Sequence, residues 1–138
     1  RYVSWSRQNR SQLVRIPMVK GDNCRMELRS PDPACNPYLA IGLVLAAGLD
    51  GIEHRMVLPP PVNKNLFRPG EAEGLGLEML PATLEEAVAI AEESDFLHKV
   101  LPEELSRRYF AEERARCEAL RAAADPAEYE RIHYFNAI

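Results

Sequence analysis

Charged residues that could bind a polyanion are concentrated within residues 6–32 of the sequence, SRQNRSQLVRIPMVKGDNCRMELRSPD. They are, in chain order, Arg10, Arg15, Arg25, Glu27 and Arg29. In a β-strand the side chains of Arg25, Glu27 and Arg29 would share one face at steps of roughly 7 Å, with Met26 and Leu28 on the other face. Guanidinium groups bind phosphate or carboxylate oxygens, and a carboxylate binds a hard divalent metal ion. The pattern therefore predicts a site for a polyanionic ligand with a metal ion.

A second interpretation needs no ligand. The same residues could form a solvated strand face on which Arg25, Glu27 and Arg29 pair with one another. Such surface ion pairs are common and contribute little to stability. The residue types and their spacing leave both interpretations open.

The elements that would position these residues predict an α+β fold, with short antiparallel strands followed by about four helices. Strand-forming residues indicate strands over residues 1–6, 12–17 and 24–30. Helical spacing and caps predict helices from 37 to about 52, from 84 to about 94, from 102 to about 124, and from 126 onward. We therefore divide the chain into a strand-and-loop site region, residues 1–33, and a mainly helical region, residues 34–138.

Two of these helices allow specific packing predictions. Asn36 and Pro37 supply a cap and a first residue for a helix that is apolar nearly all round, so we expect that helix to be buried. In the longest predicted helix the apolar residues fall near one stripe, which we expect to face the core. This stripe consists of Leu105, Tyr109, Cys117 and Leu120.

Composition excludes several classes of function. The net charge is −4, yet residues 1–29 carry seven Lys or Arg against two Asp or Glu, which favours a local anion site over a nucleic-acid surface. The longest strongly apolar run, residues 38–49, is too short to cross a bilayer, so we expect no membrane partner. Cys24, Cys35 and Cys117 fit neither a zinc site nor a disulfide framework and are typical of reduced cytoplasmic thiols.

Several motifs occur in one order along the chain. They are N-R-S at 9–11, R-I-P at 15–17, E-L-R-S-P-D-P at 27–33, N-P-Y-L at 36–39, A-G-L-D-G-I at 47–52 and K-N-L at 64–66. In this combination the chain resembles the C-terminal part of the catalytic domain of type I-like glutamine synthetases. The resemblance is strong over about the first hundred residues and loose beyond them.

The resemblance implies a role for each charged residue. Arg10 would be catalytic, stabilising the transferring phosphoryl group and contacting both ATP and glutamate. Arg15 and Arg25 would bind the phosphates of ATP, Arg29 would bind the glutamate substrate, and Glu27 would bind Mg²⁺ or Mn²⁺. The implied reaction joins ammonia to L-glutamate through γ-glutamyl phosphate, in a homo-oligomeric enzyme. Phosphoryl transfer depends mostly on positioning and charge neutralisation, which suits these residue types.

The resemblance also implies that essential parts of such an enzyme are absent from these 138 residues. In the family the other metal ligands, the ammonium site and the N-terminal domain precede the region that matches. We therefore interpret residues 1–138 as a C-terminal fragment of the catalytic domain, and we expect the isolated chain to be inactive.

Two alternative functions remain open at this point. One is a γ-glutamyl ligase that acts on a polyamine or another amine, because the amine site lies outside the matching region. The other is a non-enzymatic remnant that binds anions or assembles with partners.

In some bacterial members of the family a tyrosine in the K-N-L loop is adenylylated, and here that position is Phe67, so we predict no such control.

Overall fold

The structure, a computed structural model, describes residues 2–135. The chain forms two compact units. One comprises the residues up to Ala40 together with Ala47–Leu80, and the other comprises Ile41–Ala46 and the residues from Pro81 onward. The prediction that the first strand starts at Arg1 lies outside the described residues. The combination of a small sheet with several helices confirms the predicted α+β class.

The sheet of the first unit is made of three very short strands: β1 (Trp5–Ser6), β2 (Val14–Arg15) and β3 (Glu27–Leu28). Their order is β1-β2-β3. β2 and β3 are antiparallel, and this register places Arg15 directly opposite Glu27. β1 and β2 are parallel, so the prediction of antiparallel pairing is wrong for this pair.

The parallel pairing follows from the loop over residues 7–13, which returns the chain to the start of the sheet. Parallel strands usually need a long crossover, but here each strand spans only two residues. A short loop is therefore sufficient, and side-chain hydrogen bonds within it fix its path. Beyond the sheet, the Val62 amide donates to the Trp5 carbonyl at 2.8 Å, which holds residue 62 beside β1.

Helix α1 (Pro37–Glu53) begins as the sequence predicts. The Asn36 side chain accepts hydrogen bonds from the amides of Tyr38 and Leu39. The expectation that this helix is buried is wrong for the described chain, since α1 has no fully buried residue. One face is half-buried, and the opposite face exposes an apolar stripe of Tyr38, Ile41, Leu45, Leu49 and Ile52. A helix that is apolar all round needs apolar neighbours on every side to be buried. The described chain supplies such neighbours on one side of α1 only.

The second unit contains most of the remaining helices. They are α2 (Leu84–Glu92), α3 (Asp95–Val100), α4 (Glu103–Ala122) and α5 (Pro126–Glu130), followed by one π-helical turn over Arg131–Phe135. Helix α3 is a short helix that is not among the four helices predicted from the sequence. The Ser94 side chain caps it by accepting a hydrogen bond from the Leu97 amide.

The buried face of α4 differs from the predicted stripe. Ser106, Phe110 and Glu113 are buried, whereas Leu105 is 40% exposed. The Ser106 hydroxyl donates within its own helix, to the carbonyls of Pro102 and Glu103, so its burial leaves no polar atom unpaired. Glu113 is paired with Arg116 at 3.1 Å. The predicted stripe was wrong because it placed all polar residues of α4 in the solvent. Ser106 and Glu113 are buried instead, since each has a partner nearby in the chain.

Helices α2 and α4 are joined by ion pairs as well as by packing. Arg114 of α4 pairs with Glu92 of α2, and Arg121 pairs with Glu85. These arginines hold the pKa values of both glutamates below the ordinary value of 4.5. None of the helices in residues 2–135 combines the length and the apolarity needed to cross a bilayer.

Candidate functional site

Two of the predicted phosphate-binding arginines converge on the predicted metal ligand. Arg15 Nη1 donates to both Glu27 oxygens, at 2.9 and 3.0 Å, and Arg25 Nε donates to Glu27 Oε1 at 3.2 Å. The hydrogen bond from Arg15, with the charges of Arg15 and Arg25, lowers the pKa of the Glu27 carboxyl below its ordinary value of 4.5. Glu27 is therefore ionised at neutral pH, as a metal ligand must be.

The Arg15 guanidinium has one buried donor atom without a partner among the described residues. Its Nε atom is buried and makes no hydrogen bond to any described residue. Most buried N–H groups in proteins are paired, so an orphaned guanidinium donor is an unusual feature. Nε has almost no accessible surface, so a ligand would meet the exposed part of the Arg15 side chain instead.

Arg10 and Arg29 form a second pair, joined through the backbone. Arg29 Nε donates to the carbonyl oxygen of Arg10 at 3.1 Å, and the Arg29 amide donates to the Leu13 carbonyl at 2.9 Å. The Arg10 residue is exposed, and its guanidinium makes no hydrogen bond or ion pair with residues 2–135. Arg10 thus has five N–H donors available to a ligand.

The predicted row of Arg25, Glu27 and Arg29 is only partly formed. Arg25 and Glu27 are in contact, but Arg29 bonds to the Arg10 backbone instead. β3 spans two residues, so the alternation of faces does not extend along the whole segment. The structure replaces the row by two neighbouring groups, Arg15–Glu27–Arg25 and Arg10–Arg29.

Sequence reasoning missed the polar side chains that hold the loop around Arg10. Asn9, Ser11 and Gln12 make hydrogen bonds to the backbone of residues 62–66, and we call this set of bonds the polar clasp. Gln12 has no exposed surface and Ser11 is 2% exposed. The available signal was a run of small polar residues, S-Q, directly before the apolar residues of a predicted strand.

Arg15 and Glu27 are half-buried, with side chains 21% and 27% exposed. Two clefts on the first unit are lined by other residues, one by the segment from Leu66 to Glu73 with Tyr2, and one by Arg7, Gln8, Asn9, Met18 and Asn63. Nowhere in residues 2–135 do three or more His, Cys, Asp or Glu side chains come together as a metal site would require. A role for Glu27 as a metal ligand stays a prediction.

The residue at the position linked to adenylylation is accessible. Phe67 is 66% exposed and belongs to a turn in which its amide donates to the Asn65 side chain. Its ring has no hydroxyl group to which a nucleotide could be attached. The absence of this form of control stays a prediction.

Comparison with known proteins gives a consistent result. A family model described as glutamine synthetase, catalytic domain, matches residues 1–132. A glutamine synthetase of Methanosarcina mazei is 42% identical over 132 residues, which cover 94% of this chain and 30% of that protein. One of Methanocaldococcus jannaschii is 42% identical over 123 residues, covering 88% of this chain and 27% of that protein.

A bacterial relative matches over a similar span. A glutamine synthetase of Staphylococcus aureus is 36% identical over 135 residues, covering 96% of this chain and 30% of that protein. The chain therefore spans 27–30% of the length of these curated relatives.

Proposed function

The chain belongs to the glutamine synthetase catalytic-domain family, and from this we propose that it is part of a glutamate–ammonia ligase. In this reaction a γ-carboxylate oxygen of L-glutamate attacks the γ-phosphorus of ATP, which releases ADP and forms γ-glutamyl phosphate. Ammonia then attacks the acyl carbon, phosphate leaves, and glutamine forms with release of a proton. The relatives that match are named glutamine synthetases, which favours ammonia over a larger amine.

The observation that carries the proposal is the convergence of Arg15 and Arg25 on Glu27. It brings each of two guanidinium groups within 3.2 Å of the Glu27 carboxylate, which lies opposite Arg15 in the β2–β3 pair. Arg15 and Arg25 would bind the phosphates of ATP through the accessible parts of their guanidinium groups. Arginine is well suited to this role because its donors match the geometry of phosphate oxygens.

The second pair would serve the other substrate and the transferring group. The Arg10 guanidinium, which has no protein partner in the described chain, would contact the phosphoryl group and the glutamate carboxylate. Arg29 would bind glutamate, and its bond to the Arg10 carbonyl orients it for that contact. Cationic donors placed against a transferring phosphoryl group stabilise its developing charge, which is a main source of catalysis in phosphoryl transfer.

Glu27 would contribute one oxygen ligand to Mg²⁺ or Mn²⁺. When bound, such an ion neutralises charge on the phosphate oxygens. The hydrogen bonds that Arg15 and Arg25 donate to Glu27 keep its carboxylate ionised and in place. The remaining ligands would come from polypeptide outside the residues described here.

We extend the proposal to assembly and location. A homo-oligomer would provide neighbours for the exposed apolar residues of α1, and Tyr129, Ile132 and Tyr134 near the end of the described chain are further candidates for contacts. Cys24, Cys35 and Cys117 are free thiols, which supports a reducing, cytoplasmic location.

A chimeric enzyme tests the proposal in a complete catalytic domain. In the Methanosarcina mazei glutamine synthetase, the matching segment would be replaced by this chain, and glutamate- and ammonia-dependent ADP formation would be measured. We expect turnover, and we expect Arg15→Ala to lower it about a hundredfold or more, because a charge-stabilising donor is lost. Arg68→Ala, which removes an exposed cation from the same unit, is the matched control and should change turnover less than about twofold.

The same chimera can also contradict the proposal. An assembled, folded chimera that turns over equally well with alanine at position 15 would contradict the assigned role of Arg15. A folded chimera that accepts a polyamine but not ammonia would replace the proposed amine substrate.

A further inference from the structure

The polar clasp contains two of the most deeply buried polar side chains of the first unit, Gln12 and Ser11. Gln12 has no exposed surface, and both the nitrogen and the oxygen of its side-chain amide have hydrogen-bond partners. Its Nε2 donates to the carbonyls of Val62 and Lys64, at 2.8 and 2.9 Å, and its Oε1 lies 3.1 Å from the Ser11 hydroxyl. Only an amide side chain can donate twice and accept from one position, so glutamine is specifically suited to this place.

Ser11 and Asn9 complete the clasp. The Ser11 hydroxyl oxygen accepts from the Leu66 amide at 2.9 Å. Asn9 Nδ2 donates to the Lys64 carbonyl at 2.8 Å, and Asn9 Oδ1 accepts from the Ser11 amide at 2.9 Å. Residues 62–66 have no helix or strand of their own, so these side chains supply much of what holds them in place.

The same bonds fix the backbone on both sides of Arg10. Asn9 is tied at its amide and its carbonyl to the Ser6 hydroxyl, at 3.0 and 2.9 Å, and Ser6 is fully buried. Ser11, the residue after Arg10, is tied to residues 62–66. Arg10 is therefore an exposed side chain on an immobilised backbone, and its carbonyl in turn holds Arg29.

We propose that Gln12 and Ser11 are positioning residues, which connect segment 62–66 to the ligand-binding pair Arg10 and Arg29. This inference rests on the proposed function, because it assumes that Arg10 and Arg29 bind the anionic substrates. It adds that displacement of segment 62–66 changes how these arginines bind, although the segment itself contacts no substrate. The reciprocal effect follows from linkage: an anion bound at Arg10 steadies segment 62–66.

The first test removes the glutamine amide while preserving its shape. The variant is Gln12→Met, and the matched control is Gln8→Met, an exposed amide in the same loop. We expect Gln12→Met to speed hydrogen exchange at the Leu66 amide by about tenfold or more, and to expose the bond after Lys64 to trypsin. The dissociation constant of the chain for pyrophosphate should rise several-fold, in the direction of the loss caused by Arg10→Ala. The control should change none of these.

The second test needs no substitution and therefore does not depend on the variant folding. Pyrophosphate bound to the unsubstituted chain should slow exchange at the Leu66 amide more than at the Val3 amide. Val3 belongs to the same unit, but it donates to Glu78 and has no bond to the clasp. Equal protection of the two amides would contradict the coupling.

The remaining outcomes separate the inference from the proposed function. If Gln12→Met leaves exchange at Leu66 unchanged, segment 62–66 is not held by the clasp and the inference fails. If exchange rises while pyrophosphate affinity is unchanged, the clasp is structural only and the positioning role fails, whereas the proposed function stands. If the unsubstituted chain does not bind pyrophosphate, the anion site fails, and the positioning role fails with it.

Discussion

At the scale of single residues, the candidate site is an arrangement of charges that hold one another in place. Arg15 binds Glu27 from the neighbouring strand, and Arg25 binds it from two positions earlier in the chain. The residue types were predictable from the sequence. The pairing of Arg15 with Glu27 was not, because it depends on the register between β2 and β3. The clasp was missed for a related reason, since its acceptors are backbone carbonyls about fifty residues away.

The ionisation of Glu27 leads to a prediction for stability. The pKa of this carboxyl is lower in the folded chain than its ordinary value of 4.5, chiefly because Arg15 donates to it. Its contribution to the free energy of unfolding is therefore fully present above that value and is lost as pH falls through the lowered pKa. We expect Glu27→Gln to destabilise the chain at pH 7 and to destabilise it less at pH 3.

Urea unfolding at the two pH values measures this difference. Glu78→Gln, which removes a carboxylate of the same unit that has no ion pair among the described residues, serves as the control. A stability difference between Glu27→Gln and the parent chain that stays constant from pH 7 to pH 3 would show that the ion pair does not stabilise the fold.

At the scale of elements, the residues that cap helices were predicted better than the residues that form their buried faces. Asn36 and Asp125 cap their helices as their residue types indicate, because capping depends on neighbours two or three residues away. The buried face of α4 depends on α2, which the periodicity of α4 alone does not describe. The predicted stripe contained Leu105 in place of the observed Ser106 and Phe110.

The packing of α4 can be tested with two truncations in one helix. Phe110 is 8% exposed and Leu105 is 40% exposed. Phe110→Ala should lower the free energy of unfolding by about 3 kcal/mol, because it leaves a cavity. Leu105→Ala should lower it by less than about 1 kcal/mol. Chemical denaturation of the two variants measures both values, and equal losses would favour the stripe predicted from the sequence.

The exposed apolar stripe of helix α1 predicts that the isolated chain associates with itself. Its exposed stripe includes Leu45 and Leu49, which are 63% and 64% exposed. Apolar patches of this kind are typical of protein interfaces. We expect the chain to bind hydrophobic dyes and to self-associate as its concentration rises, and we expect Leu45→Glu with Leu49→Glu to suppress both effects.

The control for the α1 variant introduces two glutamates on another helix, α4. Ala111→Glu with Ala115→Glu adds the same charge at the same spacing on exposed positions of α4. Sedimentation velocity over a range of concentrations measures the association. If the α4 pair suppresses it as strongly as the α1 pair, net charge rather than the stripe controls association.

At the scale of the whole molecule, the described chain combines a set of arginines with one carboxylate, Glu27, that is predicted to bind a metal ion. The family and the α+β class were predictable from motifs that occur in order, because many positions contribute to such a match. The exposure of α1 was not, because it depends on which neighbours the chain contains. We expect the purified 138-residue chain to form no glutamine from glutamate, ammonia and ATP, since a metal-dependent phosphoryl transfer needs several ligands and Glu27 supplies one.

Coupled detection of ADP measures this, with the intact Methanosarcina mazei enzyme as the positive control. Glutamate- and ammonia-dependent turnover by the chain alone, abolished by Glu27→Ala, would refute the expectation. Turnover that survives Glu27→Ala would indicate a contaminating enzyme.

The exposed stripe of α1 has a further consequence inside a cell. Chaperones and quality-control proteases recognise apolar segments that remain accessible, and a run such as residues 38–49 is a segment of this kind. The steady-state abundance of this polypeptide would then be set less by its rate of synthesis than by how soon after translation the stripe is covered. Substitutions on that face would be expected to alter the amount of protein long before they alter any chemistry at the arginines.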